Sequence, residues 1–137
     1  MLSQMAQDMK AILQKSYYAQ KLLDADIDKR TEIRLLMEKI TPTLSDMPRG
    51  GSDDDKMCTA LIRLEALDSK IENDRKKLDN IIMVNKILIG SLDSYKHREV
   101  LMKRYVDMED WQTIANEMNC SERSIMLLHE QALMALH

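Results

Sequence analysis

Glycine and proline, the residues that most readily interrupt a helix, are scarce in this chain and concentrated in one place. The 137 residues include three glycines and two prolines, and four of these five lie between Pro42 and Gly51. A β sandwich needs a turn every ten residues or so, and this chain lacks the residues that build such turns. We therefore expect an all-α fold in which two long helical segments flank one loop near 41–53.

Apolar and small residues recur at alternating steps of three and four on both sides of that loop, which is the spacing of a helical seam. The first seam runs from Met5 to Ile40, and the second runs from Met57 through Leu61 to Leu92. Polar residues interrupt both seams at Asp26, Arg30, Asp68, Arg75 and Asn85. Two helices of matched length favour a long antiparallel hairpin of the coiled-coil type over residues 1–92. Because two helices give a thin core, the hairpin is also a candidate surface for a homodimer.

The ends of the two long helices are predicted from local backbone preferences. Thr41 precedes Pro42 and is pushed out of helical geometry, so we expect the first helix to end there. Ser52 or Asp53 is expected to cap the second helix.

The segment 93–137 has shorter helical patterns, at about 94–105, 109–118 and 122–136. Asp93 or Ser94 and, further on, Ser121 are candidate N-caps. The candidate core residues of this second domain are Val100, Leu101, Tyr105, Trp111, Ile114, Ala115, Met118, Ile125, Leu128, Ala132 and Leu133.

Three residues between the last two patterns have the spacing of a helix-turn-helix. Ala115 is small where two crossing helices must approach closely. Asn119 falls at the tight turn, where a left-handed backbone is needed and asparagine is the best choice after glycine. Ser121 can cap the helix that follows. The alternative interpretation is an ordinary three-helix bundle with a short turn.

Four stretches of this domain resemble region four of bacterial sigma factors. They are YKHREVLMKRY at 95–105, WQTIA at 111–115, SERSI at 121–125 and HEQAL at 129–133. Together with the loop ITPTLSDMPRGG at 40–51, they resemble a family of phage and prophage proteins of Gram-positive bacteria. In that family a sigma-like domain follows an N-terminal helical hairpin. The resemblance covers nearly the whole chain and implies a transcriptional regulator that contacts promoter DNA, RNA polymerase or both.

The resemblance also implies that the helix beginning after Ser121 enters a DNA major groove. The residues then expected to meet DNA are Ser121, Glu122, Arg123, Ser124, Met126 and Leu127. Lys103 and Arg104 could supply backbone contacts from the first helix of the domain, although a solvated surface explains these two lysine and arginine side chains equally well.

The charge of the chain opposes strong DNA binding. The formal net charge is −3, and acidic residues outnumber the five lysines and arginines of the domain 93–137. Arg123 is the one cation among the outward residues of the reading helix. Because phosphate contacts dominate affinity for nucleic acid, this domain alone should bind DNA weakly unless dimerisation doubles the contacts. A second interpretation is an interaction module that no longer reads DNA and docks Met126 and Leu127 on a host or phage protein.

Enzymatic, metal-dependent and cofactor-dependent functions find no support in the sequence. No serine or cysteine has a recognisable catalytic partner, and no glycine-rich loop that could hold phosphate is present. The three histidines lack metal-ligand spacing with the two cysteines, and His129 is expected to be a surface or interface residue. We therefore predict a protein that is not an enzyme and needs no cofactor.

The cytoplasm of a bacterial host cell is the expected location. The apolar stretch 81–92 is too short and too polar to span a membrane, so no membrane association is expected. The first fifteen residues lack the pattern of a secretory signal. Without such a signal, Cys58 and Cys120 are expected to be free thiols.

Overall fold

The computed structural model describes the backbone of residues 2–46 and 51–136, and the side chains of residues 2–40 and 54–136. This part of the chain forms the helices α1 (Gln4–Asp46), α2 (Gly51–Gly90), α3 (Tyr95–Tyr105), α4 (Trp111–Glu117) and α5 (Glu122–Ala135). The predicted all-α fold is confirmed, since two long helices pack against each other and three short helices follow.

Both long helices extend further into the predicted loop than expected. Helix α1 continues past Pro42 to Asp46, so the prediction that it ends at Thr41 was wrong. A proline removes one backbone hydrogen bond, and a helix of 43 residues keeps the bonds on either side. Helix α2 begins at Gly51, so the expected caps Ser52 and Asp53 lie inside it. The residues that remain between the two helices lie outside the described part of the chain.

Packing groups the chain into two compact units. The first, which we call the helix-turn-helix unit, comprises Met1–Ala19 and Leu78–His137, and the second, the hairpin unit, comprises Gln20–Lys77. This grouping differs from the expected division after residue 92. The reason is that the beginning of α1 and the end of α2 share a core with the three short helices.

The hairpin unit pairs α1 and α2 in antiparallel fashion. Arg30 contacts Asp68, whereas the earlier residue Asp26 contacts the later residue Lys70. The buried apolar side chains of this unit are Leu23, Ile40, Ala60 and Ile71. Leu61 of the predicted seam is half exposed, as is Met5 in the other unit. A pair of helices therefore buries fewer positions along each helix than the seam predicted from the sequence contains.

A buried acid pair lies between α1 and α2 in the hairpin unit. Asp26 and Asp74 are both buried, and Lys70 Nζ donates to Asp26 Oδ1 at 3.1 Å. The interaction with Asp74 holds the pKa of Asp26 below its usual range, and the interaction with Asp26, together with burial, raises the pKa of Asp74. Lys29 and Lys77 add favourable charge from the two helices. The two carboxyl groups thus differ in environment, and Asp26 is the one that pairs with Lys70.

The core of the helix-turn-helix unit draws on all five helices. It contains most of the side chains expected in the interior, namely Val100, Leu101, Tyr105, Ile114, Ala115, Ile125, Ala132 and Leu133. Trp111, Met118 and Leu128 are partly buried against it. Helix α1 adds Ala6 and Leu13, and helix α2 adds Ile89.

The C-terminal end of α3 is held by side chains of the long helices. The last carbonyl groups of a helix have no partner inside the helix. The Arg104 carbonyl accepts a hydrogen bond from the Tyr17 hydroxyl. The Tyr105 carbonyl accepts from Ser16 Oγ at 3.0 Å and from Asn85 Nδ2 at 3.3 Å. Asn85, a polar residue in the predicted seam, thus joins α2 to α3 and also donates to the Leu13 carbonyl of α1 at 3.1 Å.

Replacing Asn85 should therefore destabilise the protein. Asn85→Ala removes the amide that joins three helices and leaves buried carbonyls with fewer donors, which costs about 1–3 kcal/mol of unfolding free energy. Asn80→Ala, at an exposed position of the same helix, should change the unfolding free energy by less than about 0.5 kcal/mol. Chemical denaturation followed by circular dichroism measures both. Equal stability of the two variants would contradict the assigned role.

Within the described residues, none of the helices combines the length and the apolar character that crossing a membrane requires.

Candidate nucleic-acid interface

The segment from α4 to α5 has the local geometry that the sequence predicts for a helix-turn-helix. Asn119 has a positive φ of 56°, which confirms the left-handed turn position. The Cys120 amide closes the turn by donating to the Ala115 carbonyl at 2.9 Å. Ser121 is the N-cap of α5, and its Oγ accepts from the Ser124 amide at 3.1 Å. Ala115 is buried where α4 and α5 approach each other.

The preceding turn, between α3 and α4, contains features that the sequence analysis did not identify. Met108 has a positive φ of 55°, which is uncommon for a residue other than glycine. Asp110 caps α4, and its Oδ1 accepts from the Thr113 amide at 2.7 Å. That backbone hydrogen bond lowers the pKa of Asp110. Of the two predicted N-caps of α3, Asp93 and Ser94, the structure shows Ser94.

Six of the eight residues expected to contact DNA are exposed at the beginning of α5. They are Ser121, Glu122, Arg123, Ser124, Met126 and Leu127. The two serine hydroxyls hydrogen-bond each other at 2.9 Å within the cap. Met126 is 44% exposed and Leu127 is 57% exposed. The accessible face of this helix therefore presents one arginine together with two large apolar side chains.

Lys103, one of the expected backbone contacts, forms a partly exposed ion pair with Glu117. Its Nζ donates to Glu117 Oε2 at 2.6 Å, and this hydrogen bond raises the pKa of Lys103. Burial, followed by the neighbouring Glu117 carboxylate, raises the pKa of Glu109. Two carboxyl groups thus surround one ammonium group, and a DNA phosphate would have to compete with them for Lys103.

Arg104, the other expected backbone contact, lies among aromatic rings. Its guanidinium carbon is 4.3 Å from the centre of the Trp111 ring and 5.1 Å from that of Tyr17. Arg104 Nη1 donates to the Glu109 carbonyl at 2.9 Å. Since a guanidinium carries five N–H donors, this arrangement orients Arg104 while leaving donors for another acceptor.

His129 is buried, so the expectation of a surface or interface residue was wrong. Its Nε2 lies 2.6 Å from the Tyr105 hydroxyl, and its ring makes an edge contact with Trp111 at 4.8 Å between centres. Burial, followed by the charges of Lys10 and Arg104, lowers the pKa of His129 to about 4. Lys10 belongs to α1, and nothing in the local sequence signals that it approaches α5.

A largely apolar hollow of about 430 Å³ lies on the other side of α5, between that helix and α3, and the charged side chains Lys96, Glu99 and Glu117 also line it. Leu127, Leu128 and Met118 line it together with Tyr95, which is 69% exposed. Cys120, at the turn of the helix-turn-helix, also borders the hollow.

Comparison with protein-family models, with curated proteins and with solved structures finds no match to this chain. The part of the chain that the structure describes also contains no group of three or more histidine, cysteine or carboxylate side chains placed to hold a metal ion.

The buried neutral state of His129 predicts an acid-sensitive stability. The folded-state pKa of about 4 lies below the ordinary value of 6.5, so the unfolded chain binds the extra proton between these two pH values. The unfolding free energy that the neutral, buried His129 contributes is therefore fully present above pH 6.5 and is lost as the pH falls toward 4. We expect His129→Gln to melt with a shallower dependence on pH over this interval than the unmodified protein.

His97→Gln is the matched control, because His97 lies outside this cluster, near the N-terminus of α3. In thermal melts between pH 4 and 7, the melting temperature of His97→Gln should depend on pH as that of the unmodified protein does. If His129→Gln and the unmodified protein lose stability in parallel on acidification, the assignment of this effect to His129 is wrong.

Proposed function

We propose that this protein is a transcriptional regulator of the phage type, which acts through the helix-turn-helix formed by α4 and α5. The observation that carries the proposal is the turn itself. A left-handed Asn119, a capping Ser121 and a buried Ala115 occur at the offsets that hold a reading helix outward. The resemblance of residues 95–133 to sigma region four motivates DNA and RNA polymerase as the partners.

The distribution of charge favours weak DNA binding that a second contact reinforces. Arg123 is exposed on α5, whereas Lys103 is already paired with Glu117. Each unpaired cation that contacts a DNA phosphate displaces a counterion, and this release favours binding. Because this face offers few unpaired cations, its affinity for DNA alone should be low. A regulator of this kind gains affinity from a protein partner such as RNA polymerase, or from a second copy of itself.

The hairpin unit is the proposed dimerisation surface. Large apolar side chains of this unit remain about half exposed although its two helices are paired, namely Leu22, Leu35, Leu36, Leu61 and Ile62. Burying such residues against a second copy would thicken a thin core. Analytical ultracentrifugation over a range of protein concentrations should show a dimer. A monomer at every concentration would exclude this part of the proposal.

A second candidate function is protein docking without DNA reading. The hollow beside α5, with Tyr95 and Leu127 exposed at its border, favours this candidate. Aromatic and large aliphatic side chains around a concave surface are common anchors of protein interfaces. In this case the helix-turn-helix would present Met126 and Leu127 to a host or phage protein.

Gel-shift experiments at low salt with DNA from upstream of the protein's own gene test the leading proposal. The unmodified protein should shift this DNA, alone or with RNA polymerase. Arg123→Ala should weaken binding by about 1–3 kcal/mol, because one arginine contact is lost. Lys15→Ala, at an exposed position of α1 outside the hairpin unit, should bind as the unmodified protein does. Absence of any shift, with and without polymerase, would refute the proposal.

The double variant Met126→Asp/Leu127→Asp separates the two candidates. If this double variant no longer binds a protein partner that Arg123→Ala still binds, docking is the function of the α5 face. Selective loss of DNA binding with Arg123→Ala supports DNA reading instead.

A further inference from the structure

A small cavity with a mixed polar and apolar lining lies next to the outward face of α5, inside the helix-turn-helix unit. Its volume is about 160 Å³, and its lining includes residues of α1, α3, α4 and α5. Met126 and Glu130 of the exposed face of α5 form one wall. Since water occupies about 30 Å³ per molecule, the cavity has room for roughly five waters or one tetrahedral oxyanion.

Two cations converge on this cavity from different helices. Lys10 and Gln14 extend from α1, and Arg104 extends from α3. Both charges act on His129, which lines the same cavity. Arg104 is oriented by Trp111, which also borders the cavity, and by its bond to the Glu109 carbonyl. An arginine held against an aromatic ring keeps its remaining donors in a fixed plane, which suits a planar or tetrahedral oxyanion.

His129 adds a neutral donor to the same cavity. The Tyr105 hydroxyl, whose pKa is raised by burial, lies 2.6 Å from His129 Nε2, and we assign the hydroxyl as the donor of this hydrogen bond. A neutral imidazole carries one proton, which must then reside on Nδ1. The ring that lines the cavity therefore offers an N–H donor in addition to the two cations.

Among the described residues that line the cavity, Glu130 is the one carboxylate. With Lys10, Arg104 and a neutral His129, it leaves a net charge of about +1. The net positive charge of the cavity thus attracts an anion. The neighbouring Lys103 differs, because Glu117 and Glu109 surround it.

We propose that Lys10, Arg104 and His129 form a phosphate-binding site beside the reading helix, and that it holds a backbone phosphate of bound DNA. This inference deepens the proposed function and rests on it for the source of the phosphate. The site gives α1 a direct part in recognition, because its first turns supply a cation and an amide that the three short helices lack. It also places a phosphate contact on the Met126 side of α5, away from the apolar hollow on the Leu127 side.

Trp111 reports on the site directly, since it is the single tryptophan of the chain and borders the cavity. Inorganic phosphate is titrated into the full-length protein while sodium chloride keeps the ionic strength constant, and Trp111 fluorescence is recorded. The unmodified protein should show a saturable change. Lys10→Gln should weaken phosphate binding about tenfold, and Glu130→Gln should strengthen it, because the two substitutions change the charge of the cavity in opposite directions.

Lys15→Gln is the matched control, because Lys15 is an exposed cation on the same helix that does not line the cavity. It should bind phosphate as the unmodified protein does. Thermal melts of all three variants establish that each one is folded. A fluorescence response that is absent, or that is equal in Lys10→Gln and Lys15→Gln, overturns the site.

A DNA titration then identifies the source of the phosphate. The salt dependence of binding to duplex DNA should fall by about one unit in log–log slope in Lys10→Gln relative to Lys15→Gln. If inorganic phosphate binds with the expected variant pattern but no DNA binds, the site is real and accepts a free oxyanion, and the proposed function fails. If DNA binds with the same slope in both variants, the assignment of the site to a DNA phosphate is wrong.

Discussion

The need to satisfy the carbonyl groups at the end of α3 organises the helix-turn-helix unit. A helix that ends inside a protein leaves its last carbonyls without internal donors, and each buried carbonyl without a donor is costly. Here the donors come from the two long helices, as Tyr17 and Ser16 from α1 and Asn85 from α2. The three short helices therefore share one core with the beginning of α1 and the end of α2.

The same packing determines where positive charge is available. Arg104 lies between aromatic rings at the end of α3, and Lys10 approaches His129 from α1. Lys103, the neighbour of Arg104 in sequence, forms an ion pair with Glu117 instead. Two adjacent cations thus differ in what they can bind, because one packs against aromatic side chains and the other packs against carboxylates. The overall negative charge of the chain conceals this local difference.

Local signals in the sequence predicted most of the secondary structure. The helix periodicity, the turn residue Asn119 and the caps Ser94 and Ser121 depend on neighbours within a few positions, and each is confirmed. The prediction that α1 ends before Pro42 was wrong, because the preferences of a single position do not outweigh the many bonds of a long helix. Helical spacing predicted the exposed face of α5, but it did not predict the partners of Lys103 and Arg104.

The sequence by itself determined the all-α class, the two long helices and the geometry of the turn before α5, since these follow from backbone preferences and from spacing along one helix. Only the tertiary structure decided that His129 is buried, that Asp26 and Asp74 are buried and interact with each other, and that Lys10 approaches α5. The physical reason is that burial and charge depend on residues far apart in the chain. Lys10 and His129 are 119 positions apart, and no local pattern records their proximity.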